Sequence, residues 1–261
     1  KEINPMVWTL AINLDNKKVL VSGSSQGLGR KIVEKFSENN SFGFGFDLQE
    51  SNKDLKGWEF LQVNVSDEQD IINGFNQIKK KFGKLDVVVA NAGIVPPWRT
   101  INETDNDEWE KVFNVNVKGV ALTIKHSVEL MKSSGGSIIV MGSINSLLGH
   151  SGQSLYTASK HALLGIVKCA AIDLGKYNIR VNVIGPGPIA TEALLKRLKS
   201  REDNKGMSVK SALEGFANNT ALGRMPTEDD VANTALYLSS NLSSSITGQI
   251  IPVSSGLIRL E

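Results

Sequence analysis

Short apolar runs alternate with longer stretches of helical spacing along most of the chain. Lys17 to Ser22 reads as a buried strand running into a glycine turn, and Lys31 to Asn39 places Ile32, Val33 and Phe36 on one helical face. Ser41 to Asp47, rich in Phe and Gly, is a second strand, and Phe60 to Val65 a third. Asp67 is positioned to cap a helix that runs to about Phe82. Leu85 to Ala90 is a fourth strand, apolar on both faces, followed by a long helix from about Asp107 to Met131. Gly136 to Met141 is a fifth strand, Ser154 to Lys176 a helix, and Ile179 to Ile184 a sixth strand. Helical segments near Glu192–Ala217 and Glu228–Ser239 precede a last strand near Gln249 to Val253. Strands that alternate with helices imply a parallel sheet, and strands apolar on both faces imply helices on both sides. The right-handed crossover rule then gives a doubly wound α/β sheet. No internal repeat, linker or low-complexity tract interrupts it. The polar stretch Lys196 to Lys210 reads equally as a lid, within a segment spanning 190–217, or as a solvated helix and turn.

Composition narrows the function more than the fold. The chain has 261 residues, enough for one large domain or two small ones. Its 29 basic and 27 acidic residues leave a net charge of +2, too balanced for nucleic acid or an anionic membrane as the main partner. The single cysteine, Cys169, rules out an intrachain disulfide and fits a reducing compartment. It falls in an apolar helical stretch and is expected in the core. His126, His150 and His161 lack metal-ligand spacing, so no metal site is expected. No apolar stretch approaches the ~20 residues of a membrane span. Lys1 to Asn13 shows no signal-peptide core, and the expected location is the cytoplasm.

The turn after the first strand reads Gly23-Ser24-Ser25-Gln26-Gly27-Leu28-Gly29 and opens a helix. Glycine permits close approach of a phosphate-bearing ligand, and a helix N-terminus supplies free N–H groups and partial positive charge. Gly23, Ser25, Gln26, Gly27, Leu28 and Gly29 are therefore candidate contacts for a dinucleotide pyrophosphate. Asp47 ends the second strand eighteen residues after Gly29, where a carboxylate would accept hydrogen bonds from the adenosine ribose. It would repel a 2′-phosphate, and Leu48, Gln49 and Glu50 follow it rather than a basic residue. This points to NAD rather than NADP, although an Asp at a strand end also caps turns. Asn64-Val65 and Asn91-Ala92-Gly93 end the third and fourth strands, where open α/β sheets bind ligands. The small Ala92-Gly93 pair leaves room for the adenosine half of the cofactor.

Tyr156 and Lys160 are four residues apart on a helix and share a face. A phenol is a poor base at neutral pH, and a fixed cation beside it lowers its pKa, so the pair is a candidate acid/base device. Ser143, thirteen residues upstream at the end of an apolar run, is placed to hold a substrate oxygen. The spacing alone more often describes a half-buried Tyr and a solvated Lys.

Together, Gly23-x-x-x-Gly27-x-Gly29, Asn91-Ala92-Gly93, Asn116, Ser143, Tyr156-x-x-x-Lys160 and Pro186-Gly187 resemble the short-chain dehydrogenase/reductase family over roughly Lys17 to Gly256. The resemblance implies a single Rossmann-like domain with a seven-stranded parallel sheet, a homotetramer, and a catalytic tetrad of Asn116, Ser143, Tyr156 and Lys160. Tyr156 would exchange a proton with the substrate oxygen. Lys160 would lower the Tyr156 pKa and bond the nicotinamide ribose, and Ser143 would stabilise the substrate oxygen. Asn116 would anchor a water linking Lys160 to solvent, a role compatible with an ordinary Asn bonded to backbone. Pro186, Gly187, the Ile189 backbone and the Thr191 hydroxyl would hold the carboxamide. Ser22, Asn64, Ala90 and Val253-Ser254-Ser255-Gly256 depart from the family's usual Thr, Asp, Asn and Val-Asp-Gly-Gly.

The substrate wall is expected from Val95, Pro96, Pro97 and Trp98, from Asn145, Leu147, His150 and Gln153, and from Pro188, Leu194 and Leu195. Asn145 and Gln153 join Ser143 and Tyr156 as substrate contacts. Arg99 and the basic residues at 196–201 could meet an anionic group, but solvated surface is the expected reading. The leading function is an NAD-dependent oxidoreductase acting on a small alcohol or ketone. The alternatives are an NADPH-dependent 3-oxoacyl carrier-protein reductase and a non-catalytic dinucleotide sensor on the same fold.

Overall fold

Apolar side chains alternate between the two faces of every central strand, and that alternation builds the core. The computed structural model describes residues 12–50, 55–203 and 206–257. Seven strands, β1 (Lys18–Ser22), β2 (Phe42–Asp47), β3 (Trp58–Gln62), β4 (Val87–Ala90), β5 (Gly136–Met141), β6 (Ile179–Pro186) and β7 (Ile250–Val253), form one parallel sheet. Their order is β3-β2-β1-β4-β5-β6-β7. The eight α-helices of the described residues are α1 (Gly27–Glu38), α2 (Glu68–Phe82), α3 (Asn106–Phe113), α4 (Gly119–Met131), α5 (Ser154–Leu174), α6 (Glu192–Asp203), α7 (Val209–Asn218) and α8 (Glu228–Ser239).

Leu20, Val88, Ile138 and Val140 point to one face, where α2, α4 and α5 supply Ile71, Phe75, Ile124, Leu163 and Val167. Val19, Val21, Val87, Val89 and Ile139 point to the other, where α1 and α8 supply Ile32, Val33, Phe36, Val231 and Ala235. This is the doubly wound, Rossmann-like α/β fold expected from the sequence. In β2 the alternation takes an extreme form. Phe44 and Phe46 make edge-to-face contacts with Phe82 and Phe75. Gly43 and Gly45 leave the opposite face to Trp58 and Phe60. Pro252 is confined to the edge strand β7, where its missing N–H costs no ladder bond on the open side. Because β1 pairs with β2 on one side and β4 on the other, the crossover direction reverses there and opens a crevice at the strand C-termini.

Four local expectations are corrected. The third strand begins at Trp58 and ends at Gln62, because parallel pairing to Gly43–Asp47 sets its register. Val63, Asn64 and Val65 therefore lie just beyond it. The long helix of residues 107–131 is broken by a π turn at Asn114–Lys118 between α3 and α4. The segment 192–217 is two helices rather than one. Cys169 is exposed, not core, because the buried stripe of α5 runs through Leu163, Val167 and Ala171. Residues 1–11, which carry most of the N-terminal segment read for a signal peptide, lie outside the described residues. So do residues 51–54 of the β2–β3 connection and 204–205 of the segment read as a lid. Among the described residues no helix is long and apolar enough to cross a membrane. No three His, Cys, Asp or Glu side chains among them form a metal-ligand group.

Candidate active site

The crevice is assembled first by the turn after β1. Gly23 has φ +65°, and a Cβ there would lie 2.8 Å from Ala92 Cα. A Cβ on Gly29 would lie 1.8 Å from the Gly23 carbonyl oxygen, so α1 seats directly on the turn only because residue 29 has no side chain. The Ser22 hydroxyl accepts the Asn91 and Ala92 N–H groups, both at 3.1 Å. Asn91 Nδ2 donates to the carbonyls of Ser22 and Gly23, both at 3.0 Å. Asn91 thus staples the end of β4 to the glycine turn.

The same turn fits an anionic group. Gln26 precedes α1 with no side-chain cap, leaving the first N–H groups of the helix to other acceptors. Ser25 Oγ is buried without a partner, and the space beyond Gly27 is open. These are the requirements of a dinucleotide pyrophosphate. Leu28 packs its side chain into the core, so only its backbone is available there.

Asp47 has backbone partners on one side and open space on the other. Its carboxylate accepts Ser25 N–H at 2.9 Å and Gln49 N–H at 3.0 Å, capping the turn. It also lines a cavity of about 290 Å³ with Ser24, Gln49, Glu50, Phe60 and Gln62. Each carboxylate oxygen retains a lone pair for a ribose hydroxyl. Leu48 is exposed beside it. Asn64 Oδ1 accepts from the Ser66 N–H and hydroxyl, at 3.0 and 2.7 Å, while Val65 is buried under α4. Gly93 lies beside Asn116 and Lys160, with a would-be Cβ 3.3 Å from Asn116 Oδ1 and 3.7 Å from Lys160 Nζ.

The chemical centre forms where β5, the π turn and α5 meet. Ser143, just after β5, opens a 3-10 turn at Ile144–Ser146. Its Oγ accepts Asn145 N–H at 3.2 Å and stands close enough to the Tyr156 hydroxyl to favour the phenolate. The Ser143 hydroxyl also donates to Asn145 Oδ1 at 3.4 Å, a long bond that a substrate oxygen can replace. Asn145 Nδ2 donates to Gln153 Oε1 at 3.1 Å and Thr157 Oγ1 at 2.9 Å. Asn145 and Gln153 therefore brace Ser143 against the first turn of α5.

Lys160 is 5% exposed, with Nζ donating to the Met141 carbonyl at 2.7 Å and lying 5.7 Å from the Tyr156 ring centroid. Burial pushes it from 10.5 down to about 8. The Tyr156 phenol moves opposite to expectation. Burial pushes it above its ordinary value of 10.0, opposed by the Ser143 hydrogen bond and the Arg197 charge. The reason is that desolvation outweighs those two, and the Lys160 ammonium is directed to Met141 rather than to the phenol.

Asn116 sits in the π turn, fully buried. Its Oδ1 accepts Ile94 N–H at 2.8 Å, while Nδ2 donates to the Ile94 carbonyl at 2.9 Å and to Ser159 Oγ at 3.2 Å. These three bonds clamp the loop after β4 and leave one lone pair on Oδ1. At the end of β6, Gly187 N–H donates to the Val253 carbonyl at 2.9 Å, securing Pro186-Gly187 to the sheet. Thr191 Oγ1 accepts Leu194 N–H at 3.3 Å, keeping its own proton free, and Ile189 is buried.

Val95, Pro96, Pro97, Trp98, Gln153 and Tyr156 line one narrow cleft, closed at the rim by the Arg99 N–H bond to the Gly152 carbonyl at 2.9 Å. His150 is exposed. Arg99 pairs with Glu108 at 3.3 Å, as surface. The basic run on α6 is not wholly solvated. Arg197 is half-buried and Arg201 stacks on Trp98, 4.2 Å from the ring centroid. No periodicity signals this, because the partner indole is about a hundred residues away in the chain.

A family model described as Enoyl-(Acyl carrier protein) reductase matches residues 23–258. Short-chain dehydrogenase reductase 5 of Arabidopsis thaliana is 35% identical over 254 residues, covering 93% of this chain and 95% of its own. Among solved structures, the ligand-free aldohexose dehydrogenase of Thermoplasma acidophilum superposes with a TM-score of 0.87 at 25% identity, covering 93% of this chain and 94% of that one. ElxO with NADP bound gives a TM-score of 0.84 at 28% identity, covering 93% and 98%.

Proposed function

Since the chain belongs to the short-chain dehydrogenase/reductase family, and so to the oxidoreductases that bind a nicotinamide dinucleotide, we propose that it interconverts a secondary alcohol and its ketone with Tyr156 as general acid and base. The observation that carries this is the convergence of Ser143, Tyr156 and Lys160 at the end of β5, braced by Asn116 and Asn145. When bound, the dinucleotide supplies the two-electron chemistry. The glycine turn would hold its pyrophosphate, Asp47 its adenosine ribose, and the segment from Pro186 to Thr191 its carboxamide.

In reduction, Tyr156 gives its proton to the carbonyl oxygen, and in oxidation it takes the proton of the alcohol. With its pKa raised, Tyr156 is in the acid form at neutral pH, the form that reduction uses. Ser143 donates to the same oxygen and stabilises its developing charge. Lys160, near 8, exchanges protons with solvent under mild conditions and can replenish Tyr156 through a water chain beside Asn116. This supports an enzyme over a silent sensor, which needs no such set of groups.

The Asp47 carboxylate and neighbouring Glu50 favour NAD, since both oppose a 2′-phosphate. One observation favours NADP as a second reading. Arg30 lies 5.5 Å from the centroid of the Phe60 ring that lines the same cavity, and its NH1 is buried without a partner. The absorbance of reduced nicotinamide, followed with NAD and NADP against a panel of secondary alcohols, tests both levels. Turnover with NAD in preference to NADP, reversed toward NADP by Asp47→Ala, is expected. Turnover with NADP alone overturns the Asp47 argument, and tight cofactor binding without turnover favours the sensor. We further propose a cytoplasmic homotetramer. Ile172 on α5, 81% exposed, fits a face covered by another copy, and light scattering of the purified protein tests this.

A further inference from the structure

Three buried hydrogen-bond donors near Tyr156 have no acceptor: Arg197 Nε, Trp98 Nε1 and Ser154 Oγ. Guanidinium and indole N–H groups can only donate, so what these positions lack is an acceptor. Trp98, Ser154 and Tyr156 line the same cleft. Arg197 lies 6.0 Å from the Trp98 ring centroid, and Arg201 lies 4.2 Å from it. The two cations are four residues apart on one face of α6, a spacing at which like charges repel.

The acids of α6 do not relieve this. Glu192 pairs with Lys196, and Glu202 and Asp203 pair with Lys199. Glu108 pairs with Arg99. Among the described residues no carboxylate lies at ion-pair distance from Arg197, yet its side chain is half-buried, and burial lowers its pKa. Leaving a desolvated cation and two neighbouring donors unsatisfied is costly unless an anion completes the site. The charge also reaches the reacting phenol, which places it at the substrate end of the crevice rather than at the glycine turn.

We infer that Arg197, aided by the Trp98 indole N–H, holds the carboxylate of an oxo-acid or hydroxy-acid substrate whose reacting carbon faces Tyr156 and Ser143. The inference rests on the alcohol/ketone reading above and specifies its substrate class. A planar carboxylate matches the guanidinium fork, and Arg201 supplies a second positive charge at the rim.

Two pairs of probes, acetoacetate with methyl acetoacetate and levulinate with methyl levulinate, separate the possibilities in assays with each reduced cofactor. The acid of at least one pair is expected to exceed its ester in kcat/KM by about 10-fold or more, as a charge-assisted hydrogen bond allows. Arg197→Ala should lower kcat/KM for the acid by about 30-fold or more, mainly through KM, and for the ester by only a few-fold. Arg197→Lys should recover part of the loss. Equal losses for acid and ester, or a preference for both esters, overturn the inference while leaving the oxidoreductase reading intact. If no probe turns over with either cofactor, the oxidoreductase reading has failed for this class, and the carboxylate site is judged by titration of levulinate into the protein. Saturable quenching of tryptophan fluorescence that Arg197→Ala abolishes supports it, and no binding to the unmodified protein overturns it.

Discussion

Replacing Lys160 by Met should make the cofactor-free protein more stable at neutral pH and less stable in strong base. Met keeps the length of the buried stem and removes the charge. Burial lowers Lys160 from 10.5 to about 8, which at about 1.4 kcal/mol for each unit of pKa is a destabilisation of roughly 3 kcal/mol in the folded state. The folded pKa lies below the unfolded one, so the unfolded chain binds more protons between these values and stability rises with pH there. The penalty is complete below about pH 8 and gone above about 10.5. Against it stands the 2.7 Å bond from Nζ to the Met141 carbonyl, whose loss costs about 1 kcal/mol. Lys160→Met should therefore gain about 2 kcal/mol at neutral pH and lose about 1 kcal/mol above the unfolded pKa. Urea unfolding of both proteins across this range measures the difference, in which the other titrating groups cancel. A difference that stays constant with pH refutes the claim that Lys160 is desolvated as a charge.

Substitutions at two further positions probe how the site is held. Asn116→Ala removes both bonds to the Ile94 backbone and the bond to Ser159, and should cost about 3 kcal/mol in urea unfolding. Asn116→Leu, which keeps the volume without either hydrogen-bonding group, should cost about as much, and variants as stable as the parent protein would contradict the clamp. Gly29→Ala places a Cβ against the Gly23 carbonyl, where only backbone can yield, and should cost more than about 3 kcal/mol together with cofactor affinity, read by quenching of protein fluorescence. A stable, cofactor-binding Gly29→Ala protein would show that the turn is looser than described.

The sheet was readable because its signals are local. Val87 to Ala90 is apolar at every position, as a strand covered on both faces must be, and the glycine turn follows β1 within one residue. Tyr156 and Lys160 were readable because helical spacing alone puts them on one side of α5. The π turn was not, because Asn114–Lys118 contains no Gly or Pro and continues an apolar helical pattern. Within that turn Asn116 reaches Ile94, a contact across 22 residues that no local pattern signals. Cys169 misled because α5 is apolar around most of its circumference, so composition does not mark the buried side. Arg197 was hidden for the same kind of reason, since a run of Lys and Arg reads as solvated until Trp98 packs against it. The Tyr156 shift required knowing that Lys160 points at Met141 and that burial, not the neighbouring cation, dominates.

In the proposed reaction Tyr156 is the group that moves the proton. Tyr156→Phe keeps the ring and removes only the hydroxyl, so the fold and dinucleotide affinity should persist. Turnover of any alcohol or ketone that the unmodified protein accepts should fall by about 100-fold or more, the usual contribution of general acid–base catalysis. Steady-state rates and cofactor titration on the same preparation give both quantities. Loss of turnover with cofactor binding retained is the predicted result, and a Tyr156→Phe enzyme within a few-fold of full activity would contradict it.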